Sequence, residues 1–312
     1  MSPLKLLREI NMLNTARALA LLLITATGTA AFGAGEAVPI KTIAVTDGIH
    51  MLVGRGGNLA VSTGADGTFL VDDQYAPQYA GITDAFKTLS SQPVKFLVNT
   101  HWHGDHTGGN EQMGKANAII IAHENVRQRL STDQVVEFFN SERPASPTAA
   151  LPIVTFSNDI TLHLNGNDIY VFHVLNAHTD GDAVVHFKQA NVIHTGDTFF
   201  SEFYPFIDNG SGGSVSGTIK AAEQILAIAD EKTRIIPGHG ALSDRKGVEN
   251  YLAMLKAVHK AVAQLIVAGN SVEEAVLAKP TAAFDPKWGN GFLQPDVFVR
   301  IVYDSITRSA LR

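Results

Sequence analysis

The chain has 312 residues, of which 45% are hydrophobic and 17% are charged, and it contains 27 glycines. These values are typical of one large folded domain with a small appendage, and they exclude a disordered or collagen-like chain. The net charge is −6 without any block of basic residues, so nucleic acid is not expected as a partner. Cysteine is absent and histidine occurs 12 times, which excludes disulfides and cysteine-bound metals but leaves histidine-bound metals open.

The first residues have the pattern of a secretory leader. Three basic residues precede an uncharged stretch at 18–35, which has an apolar centre at 18–24 and small residues up to Ala31. This order is typical of a signal peptide, so we expect residues 1–31 to be removed and the mature protein to be periplasmic or secreted. A membrane anchor is the alternative, although the apolar stretch is short for a bilayer span, and membrane contact is expected only through an uncleaved leader.

The first half of the chain alternates predicted strands and helices. Short apolar runs broken by glycine-containing turns predict strands at 40–45, 51–53, 58–62, 68–71, 94–98 and 118–122. Helical spacing predicts helices at 77–89, with a proline at the first position, and at 124–130. The segment 132–150 contains two prolines and is predicted to be a surface loop.

The second half begins with neighbouring strands and ends in helices. Strands are predicted at 153–156, 160–164, 169–175, 183–187, 191–194 and 233–236. The sequence at 165–168 predicts a hairpin turn. Helices are predicted at 215–229 and 245–268, and the tail from 271 has a short helix, an irregular stretch and a last helix opened by Pro295. This order predicts two sheets packed face to face with helices outside.

The segment 100–110, which reads THWHGDHTGGN, carries three imidazoles and a carboxylate within six positions. In an extended segment His101 and His103 point to the same side, because the side-chain period is two, so they can bind one ion together. Asp105 and His106 then project toward a second position. Neutral imidazole and carboxylate are the ligands that borderline divalent metals prefer, so the segment predicts a metal site.

Three later segments each place a polar side chain at the end of a predicted strand. These side chains are His178, Asp197 and His239, and glycines flank each of them. Strand ends are where loops gather and active sites tend to lie, and glycine permits the tight turns that bring such side chains inward. We therefore expect all three to complete the site that begins at 100–110.

These motifs, in this order, resemble the metallo-β-lactamase-fold hydrolase superfamily from about residue 40 to residue 240. The resemblance implies an α/β (α+β) fold, a four-layer αββα sandwich with the site at one edge between the sheets. It also implies a domain at 40–240, followed by a helical C-terminal extension at 241–312 packed on the same domain.

The resemblance further implies a ligand set for two divalent metal ions, with zinc expected first and iron or manganese as alternatives. The first ion would be bound by His101, His103 and His178, the second by Asp105, His106 and His239, and Asp197 would bridge the two. Two such ions can turn a shared water into a hydroxide nucleophile at about pH 7. Asp105 is expected to orient this nucleophile and is the predicted catalytic residue.

The expected function is an exported dinuclear hydrolase that opens a small β-lactam, ester or thioester by attack of the hydroxide on a carbonyl. Asp197 bears on the substrate, because efficient β-lactamases of the superfamily mostly have cysteine or a non-ligating residue there, whereas glyoxalase II-like thioesterases keep the aspartate. Three alternatives stay open: a glyoxalase II-like thioesterase, a mononuclear iron enzyme like the persulfide dioxygenases, and a periplasmic metal-binding protein without turnover.

Several other residues near these motifs are assigned lesser roles. Asp180 and Asp182 are expected to support the ligands or to form turns, and His194 is expected to pack near the site without binding metal. The aromatic residues at 199–206 are interpreted either as core or as one wall of a substrate pocket. The glycine- and serine-rich segment 210–214 is expected to be a flexible loop that leads into a helix.

Overall fold

A computed structural model describes residues 36–310, so the predicted signal peptide at 1–31 lies outside the described residues. The first main sheet has seven strands in the order β1-β2-β3-β4-β5-β6-β9. These are β1 (Lys41–Thr46), β2 (Ile49–Val53), β3 (Leu59–Ser62), β4 (Thr68–Val71), β5 (Val94–Val98), β6 (Ile119–His123) and β9 (Val154–Phe156). Neighbours from β1 to β4 pair antiparallel, and those from β4 to β9 pair parallel.

The second main sheet has six strands in chain order from β10 to β15. These are β10 (Asp159–Leu164), β11 (Asn167–His173), β12 (Ala183–Phe187), β13 (Val192–His194), β14 (Arg234–Ile236) and β15 (Ser243–Asp244). The predicted hairpin turn joins β10 to β11 through Asn165 and Gly166, whose φ angles are 51° and 73°. Two consecutive left-handed residues of this type match the right-handed twist of a hairpin.

Nine α-helices occur within residues 36–310. They are α1 (Tyr79–Lys87), α2 (Gly104–Thr107), α3 (Asn110–Lys115), α4 (Glu124–Leu130), α5 (Val215–Ile228), α6 (Arg245–Val267), α7 (Val272–Leu277), α8 (Asp285–Trp288) and α9 (Pro295–Ala310). The predicted helices at 124–130, 215–229 and 245–268 agree with α4, α5 and α6 to within one residue. None of the helices in this described part combines the length and apolar character that crossing a bilayer requires.

The alternation of side chains along the strands divides the interior into layers. In β4, Phe69 and Val71 face the second sheet, and Phe69 meets Phe187 edge to face at 5.8 Å. Leu70 points the other way, against Ile82 of α1. Because a strand presents successive residues to opposite faces, a strand covered on both sides is apolar throughout. The predicted four-layer αββα arrangement is confirmed.

The outer face of the second sheet is covered by the helices of the C-terminal half. Val184 and Ile193 of this sheet share one core with residues of α5, α6 and α9, including Met254 and Phe298. The helical extension predicted at 241–312 thus contributes α6 and α9 to the same core as the sheet. The domain boundary placed at residue 240 stays a prediction.

Two predicted segments differ in the structure. The predicted loop at 132–150 contains a hairpin of β7 (Gln134–Val136) and β8 (Ser141–Arg143), and both of its prolines follow β8 and leave the pairing intact. The strand at 153–156, predicted in sequence with the second sheet, instead pairs parallel with β6 in the first sheet. Parallel neighbours need a long crossover, and α4 with the hairpin provides it.

Candidate metal centre

The seven predicted ligands lie at the ends of strands, along one edge of the sandwich. Segment 101–106 follows β5, and its second half forms the single-turn helix α2. His178 follows β11, Asp197 lies in a 3₁₀ turn after β13, and His239 follows β14. The turn at Asp197 begins at Gly196, whose φ of 52° favours glycine, as the flanking glycines led us to expect.

The first group of ligands consists of His101, His103 and His178. Their ring centroids lie 4.7–4.9 Å apart, and Nε2 of His178 is 2.9 Å from Nδ1 of His103. All three side chains are buried, and one ring nitrogen of each falls within 4.8 Å of the others. Three imidazole nitrogens thus converge on one small space, as a three-histidine metal site requires.

The second group consists of Asp105, His106 and His239. Nε2 of His239 lies 3.2 Å from Oδ2 of Asp105, and Nε2 of His106 lies 3.6 Å from the same oxygen. The two imidazole nitrogens are 3.4 Å apart. These three side chains also offer one donor atom each within 4.8 Å, so they form a second cluster beside the first.

Asp197 lies between the two groups. Its Oδ1 is 3.1 Å from Nε2 of His106, and its Oδ2 is 3.5 Å from Nε2 of both His178 and His239. The structure therefore brings all seven predicted residues together and places the carboxylate where it can reach both clusters.

Two unsatisfied atoms indicate that this arrangement fits metal ions. Nε2 of His101 and Oδ1 of Asp197 are buried without a hydrogen-bond partner. Buried polar atoms are nearly always paired, so two such atoms facing one space mark a place where another group belongs. Imidazole nitrogen and carboxylate oxygen are suitable ligands for zinc and similar divalent cations, so the donor set fits the predicted metals.

The outward nitrogens of the histidines are held by other groups. His106 Nδ1 lies 2.8 Å from Oδ2 of Asp72, and His103 Nε2 lies 3.0 Å from Oδ2 of Asp208. His178 Nδ1 is 2.8 Å from the carbonyl oxygen of Phe206. Such contacts fix the tautomer and the ring orientation, so the inward nitrogens keep their lone pairs for a metal.

Asp72 and Asp208 also support the centre, although neither is among the residues predicted from the sequence. Asp72 directly follows β4, so the criterion applied to the other ligands, a polar residue at a strand end, could have found it. Asp208 lies in an irregular segment before a 3₁₀ turn and is marked by no spacing. Its contact with His103 spans 105 positions in the chain, so only the folded structure reveals it.

The lesser roles predicted for Asp182 and His194 agree with their contacts. The carboxylate of Asp182 accepts hydrogen bonds from the backbone of His178 and from the backbone and hydroxyl of Thr179, so it forms the turn that carries the ligand. Asp180 instead pairs with Arg129 at 2.6 Å. His194 is buried near the centre, with Nε2 2.9 Å from a backbone oxygen, and is absent from the two ligand groups.

The second group binds protons tightly in the metal-free protein. Burial lowers the pKa of His239, but the charges of Asp197 and Asp105 outweigh burial and raise it to about 9. Burial also lowers the pKa of His106, and the same carboxylates, with Asp72, hold it well above its usual range. The carboxylates of Asp105, Asp197 and Asp72 therefore favour positive charge at the second group, whether protons or a cation supply it.

The first group has the opposite character. Burial lowers the pKa of His178 to about 4, although the charge of Asp197 opposes the shift. Burial, together with the charge of His106, lowers the pKa of His101 well below its usual range. These two imidazoles are therefore neutral at pH 7, which is the form that binds a metal.

The aromatic residues at 199–206 contribute both to the core and to the wall of the metal centre. Phe199 meets Tyr251 at 5.1 Å and Tyr204 stacks on Phe298 at 4.5 Å, so these two side chains belong to the core. Phe200 stacks on the ring of His239 at 5.1 Å, and Phe206 contacts ligands of the first group. The run thus supplies core on one side and part of the wall of the centre on the other.

Residues 56–239 match the family model of the metallo-β-lactamase superfamily, which is more than half of the chain. The chain belongs to the metallo-β-lactamase superfamily. The predictions of the family, of the fold and of an enzyme from this superfamily of metal-dependent hydrolases are confirmed. Members of the superfamily typically bind divalent metals, which agrees with the clusters described above.

Curated relatives of this superfamily member include two hydroxyacylglutathione hydrolases. That of Pelagibacter ubique is 26% identical over 147 residues, which are 47% of this chain and 52% of the relative. That of Erythrobacter litoralis is 29% identical over 109 residues, 35% of each chain. The matched region thus spans about half of the first relative and about a third of the second.

Solved structures with the same fold include a lactamase and a sulfatase. The DIM-1 metallo-β-lactamase has a TM-score of 0.57 and 19% identity, with 71% of this chain and 99% of that chain covered. The sec-alkylsulfatase Pisa1 from Pseudomonas sp. has a TM-score of 0.61 and 17% identity, with 85% of this chain and 50% of that chain covered. At these identities the likeness shows the fold alone.

Proposed function

We propose that the protein is an exported dinuclear metallohydrolase that acts on the carbonyl group of a small ester, thioester or β-lactam. One observation carries this proposal: Asp197 lies between two adjoining clusters, each with three further donor atoms, and it shares a third group of donors with one histidine from each cluster, His101 and His106. A single cluster would suffice for a structural or mononuclear site. Two adjacent clusters that share a carboxylate have the arrangement that two-metal hydrolases use.

The residues divide into two binding sets with one shared member. The first group of ligands would hold one cation, the second group would hold the other, and Asp197 would contact both. When bound, two divalent cations would lower the pKa of a shared water to about 7 and polarise the carbonyl of the substrate. The binding of the second cation requires His106 and His239 to lose the protons that the carboxylates hold there.

Asp105 is the catalytic residue in this proposal. Its side chain is 21% exposed, so it borders the space that a substrate would enter. With Oδ2 turned toward His239, its other oxygen can accept a hydrogen bond from the attacking nucleophile and orient it. The same carboxylate can then take up the proton that the nucleophile releases.

Asp197 and the relatives support one substrate class over the others. The aspartate at this position and the similarity to two hydroxyacylglutathione hydrolases favour a thioester or ester. The predicted leader favours export, whereas glyoxalase II-like enzymes are usually cytosolic, so we place β-lactams beside thioesters in the tests. A single iron would instead favour the persulfide-dioxygenase-like alternative.

The first experiment measures hydrolysis of a chromogenic cephalosporin, an aryl ester and a glutathione thioester by the zinc-reconstituted mature protein. The Asp105→Asn variant and metal-stripped protein serve as blanks. Turnover that both blanks lack would support the proposal, and the best substrate would define the class. If the metal-loaded protein hydrolyses none of the three substrates, the alternative of a periplasmic metal-binding protein without catalytic activity is favoured.

Metal content and location are tested separately. Two zinc ions per chain in protein purified without added metal would support the dinuclear centre, whereas one iron and no zinc would contradict it. For export, the full chain is expressed and the amino terminus of the periplasmic protein is sequenced. We expect cleavage near Ala31, and an uncleaved chain confined to the cytoplasm would contradict export.

A further inference from the structure

Phe206 lies directly beside the first group of ligands. Its ring stacks on that of His103, with centroids 6.0 Å apart and planes at 30°, and it meets His178 edge to face at 5.7 Å. The hydrogen bond between His178 Nδ1 and the carbonyl oxygen of Phe206 fixes this segment to the centre. An apolar ring therefore forms the wall of the centre on the side of these two histidines.

The turn between β7 and β8 extends this apolar wall outward. Phe138 and Phe139 have ring centroids 5.2 and 5.0 Å from that of Phe206, and Phe292 lies 6.1 Å from Phe139. Phe138 is 44% exposed. Contiguous apolar side chains that reach the surface next to a polar site are typical of ligand-binding grooves.

The surroundings of Asp105 have a different character. Burial raises the pKa of the Tyr75 phenol and the charge of Asp105 raises it further, whereas the charges of Arg143 and Arg55 lower it. Arg55 is exposed and precedes Gly56 and Gly57, whose backbone packs against Asp105. An exposed charged residue therefore precedes the loop that packs against Asp105, whereas Phe206 and the rings beyond it border the first group; on the side of the second group, Phe200 stacks on His239.

We propose that the aromatic cluster of Phe138, Phe139, Phe206 and Phe292 binds the apolar part of an acyl group whose carbonyl lies at the metal centre. The substrate is then an ester, thioester or lactam with an alkyl or aryl acyl group. Hydrolysis adds water across the acyl bond and gives a carboxylic acid and an alcohol, thiol or amine. This inference rests on the proposed function. The four rings carry no polar atom, so they take no part in the chemical step and act only on which substrate binds.

The test measures binding of the acids that such a reaction would release, so it does not depend on turnover. Straight-chain carboxylates from acetate to decanoate are titrated calorimetrically into the zinc-loaded protein. We expect Kd to fall about two- to fourfold with each added methylene, because each one buries apolar surface on the rings. Phe138→Ala is expected to weaken octanoate binding about five- to twentyfold and to leave acetate binding unchanged.

Leu277→Ala is the matched control. Leu277 is 78% exposed on α7 and belongs to no part of the aromatic cluster, so its removal should leave the chain-length dependence as it is. Unchanged acetate binding in Phe138→Ala shows that the centre is intact. A Kd independent of chain length in the parent protein, or the same dependence in a Phe138→Ala, Phe139→Ala double variant, would overturn the inference.

The two proposals fail in different ways. If the protein hydrolyses one of the three test substrates but the Kd of the carboxylates is independent of chain length, the proposed function stands and the aromatic cluster is not a binding surface for the acyl group. If the Kd of the carboxylates falls with chain length but no ester, thioester or lactam is hydrolysed, the aromatic cluster is supported as a binding surface and the proposed hydrolase function is contradicted.

Discussion

His106 and Asp72 form a fully buried pair in which Nδ1 of the imidazole lies 2.8 Å from Oδ2 of the carboxylate. The same carboxylate accepts hydrogen bonds from the backbone nitrogen and the hydroxyl of Thr100, at 2.7 and 2.8 Å. Asp72 therefore orients His106 and also fixes the residue at which the metal-binding segment begins. The contact leaves Nε2 of His106 facing Asp105 and Asp197.

Asp72→Asn should weaken metal binding about 10- to 100-fold, because an amide cannot accept all three hydrogen bonds and His106 loses its fixed orientation. Competition with a chromophoric chelator measures the affinity. Asp168→Asn is the control, since Asp168 forms a similar pair with His163 at 2.6 Å on the exposed β10–β11 hairpin. Equal affinities in the two variants would contradict the role of Asp72.

The ligands could be predicted from the sequence because their spacing carries the geometry. His101 and His103 share a side through the period of an extended segment, and the later ligands each follow a predicted strand, with a glycine directly before Asp197 and His239 and three residues after His178. Asp208 has no such signal, because its partner His103 is distant in the chain. The position of Asp208 depends on how the segment after β13 packs, and local patterns do not encode that packing.

The fold was predictable to the same extent. The apolar runs locate the strands, but they do not specify which strands pair with each other. We therefore expected β9 in the second sheet, beside the strands that follow it in the chain. Its pairing with β6 depends on the length of the crossover between them. The hairpin at 134–143 is only three residues long on each side, which is too short for a reliable periodicity.

Metal binding should release about two protons per chain near pH 7.5. The pKa of His239 is raised to about 9 and that of His106 is raised well above its usual range, so both imidazoles are protonated in the metal-free protein. A metal binds only the neutral form. Titration calorimetry in buffers of different ionisation enthalpy counts the protons, and a value near zero at pH 7.5 would contradict these shifts.

The same raised pKa predicts how the stability of the metal-free protein depends on pH. Protonated His239 stabilises the folded state fully below its ordinary pKa of 6.5, and this stabilisation is lost as pH rises through about 9. The melting temperature of the metal-free protein should therefore fall between pH 6.5 and 9. Zinc-loaded protein, in which the imidazole is already neutral, is the comparison and should show a smaller decrease.

Asp105→Asn should lower kcat at least about 100-fold on whichever substrate is hydrolysed, while the fold stays intact. The amide keeps the shape of the side chain but has no charge to bind a cation and cannot accept a proton. Asp84→Asn is the control, because Asp84 pairs with Lys87 on the surface of α1 with 78% of its side chain exposed. Near-normal turnover in Asp105→Asn would refute the assigned role.

Gly57→Ala should disrupt the second group of ligands. A Cβ at Gly57 would overlap the ring of His106, and the loop cannot retreat easily because its backbone nitrogen donates to the carbonyl oxygen of Asp105 at 3.0 Å. We expect the free energy of unfolding to fall by about 1–3 kcal/mol and metal content to decrease. Gly104→Ala is the matched control, since a Cβ there meets nothing within 4 Å. Full metal content in Gly57→Ala would show that His106 can bind from a displaced position.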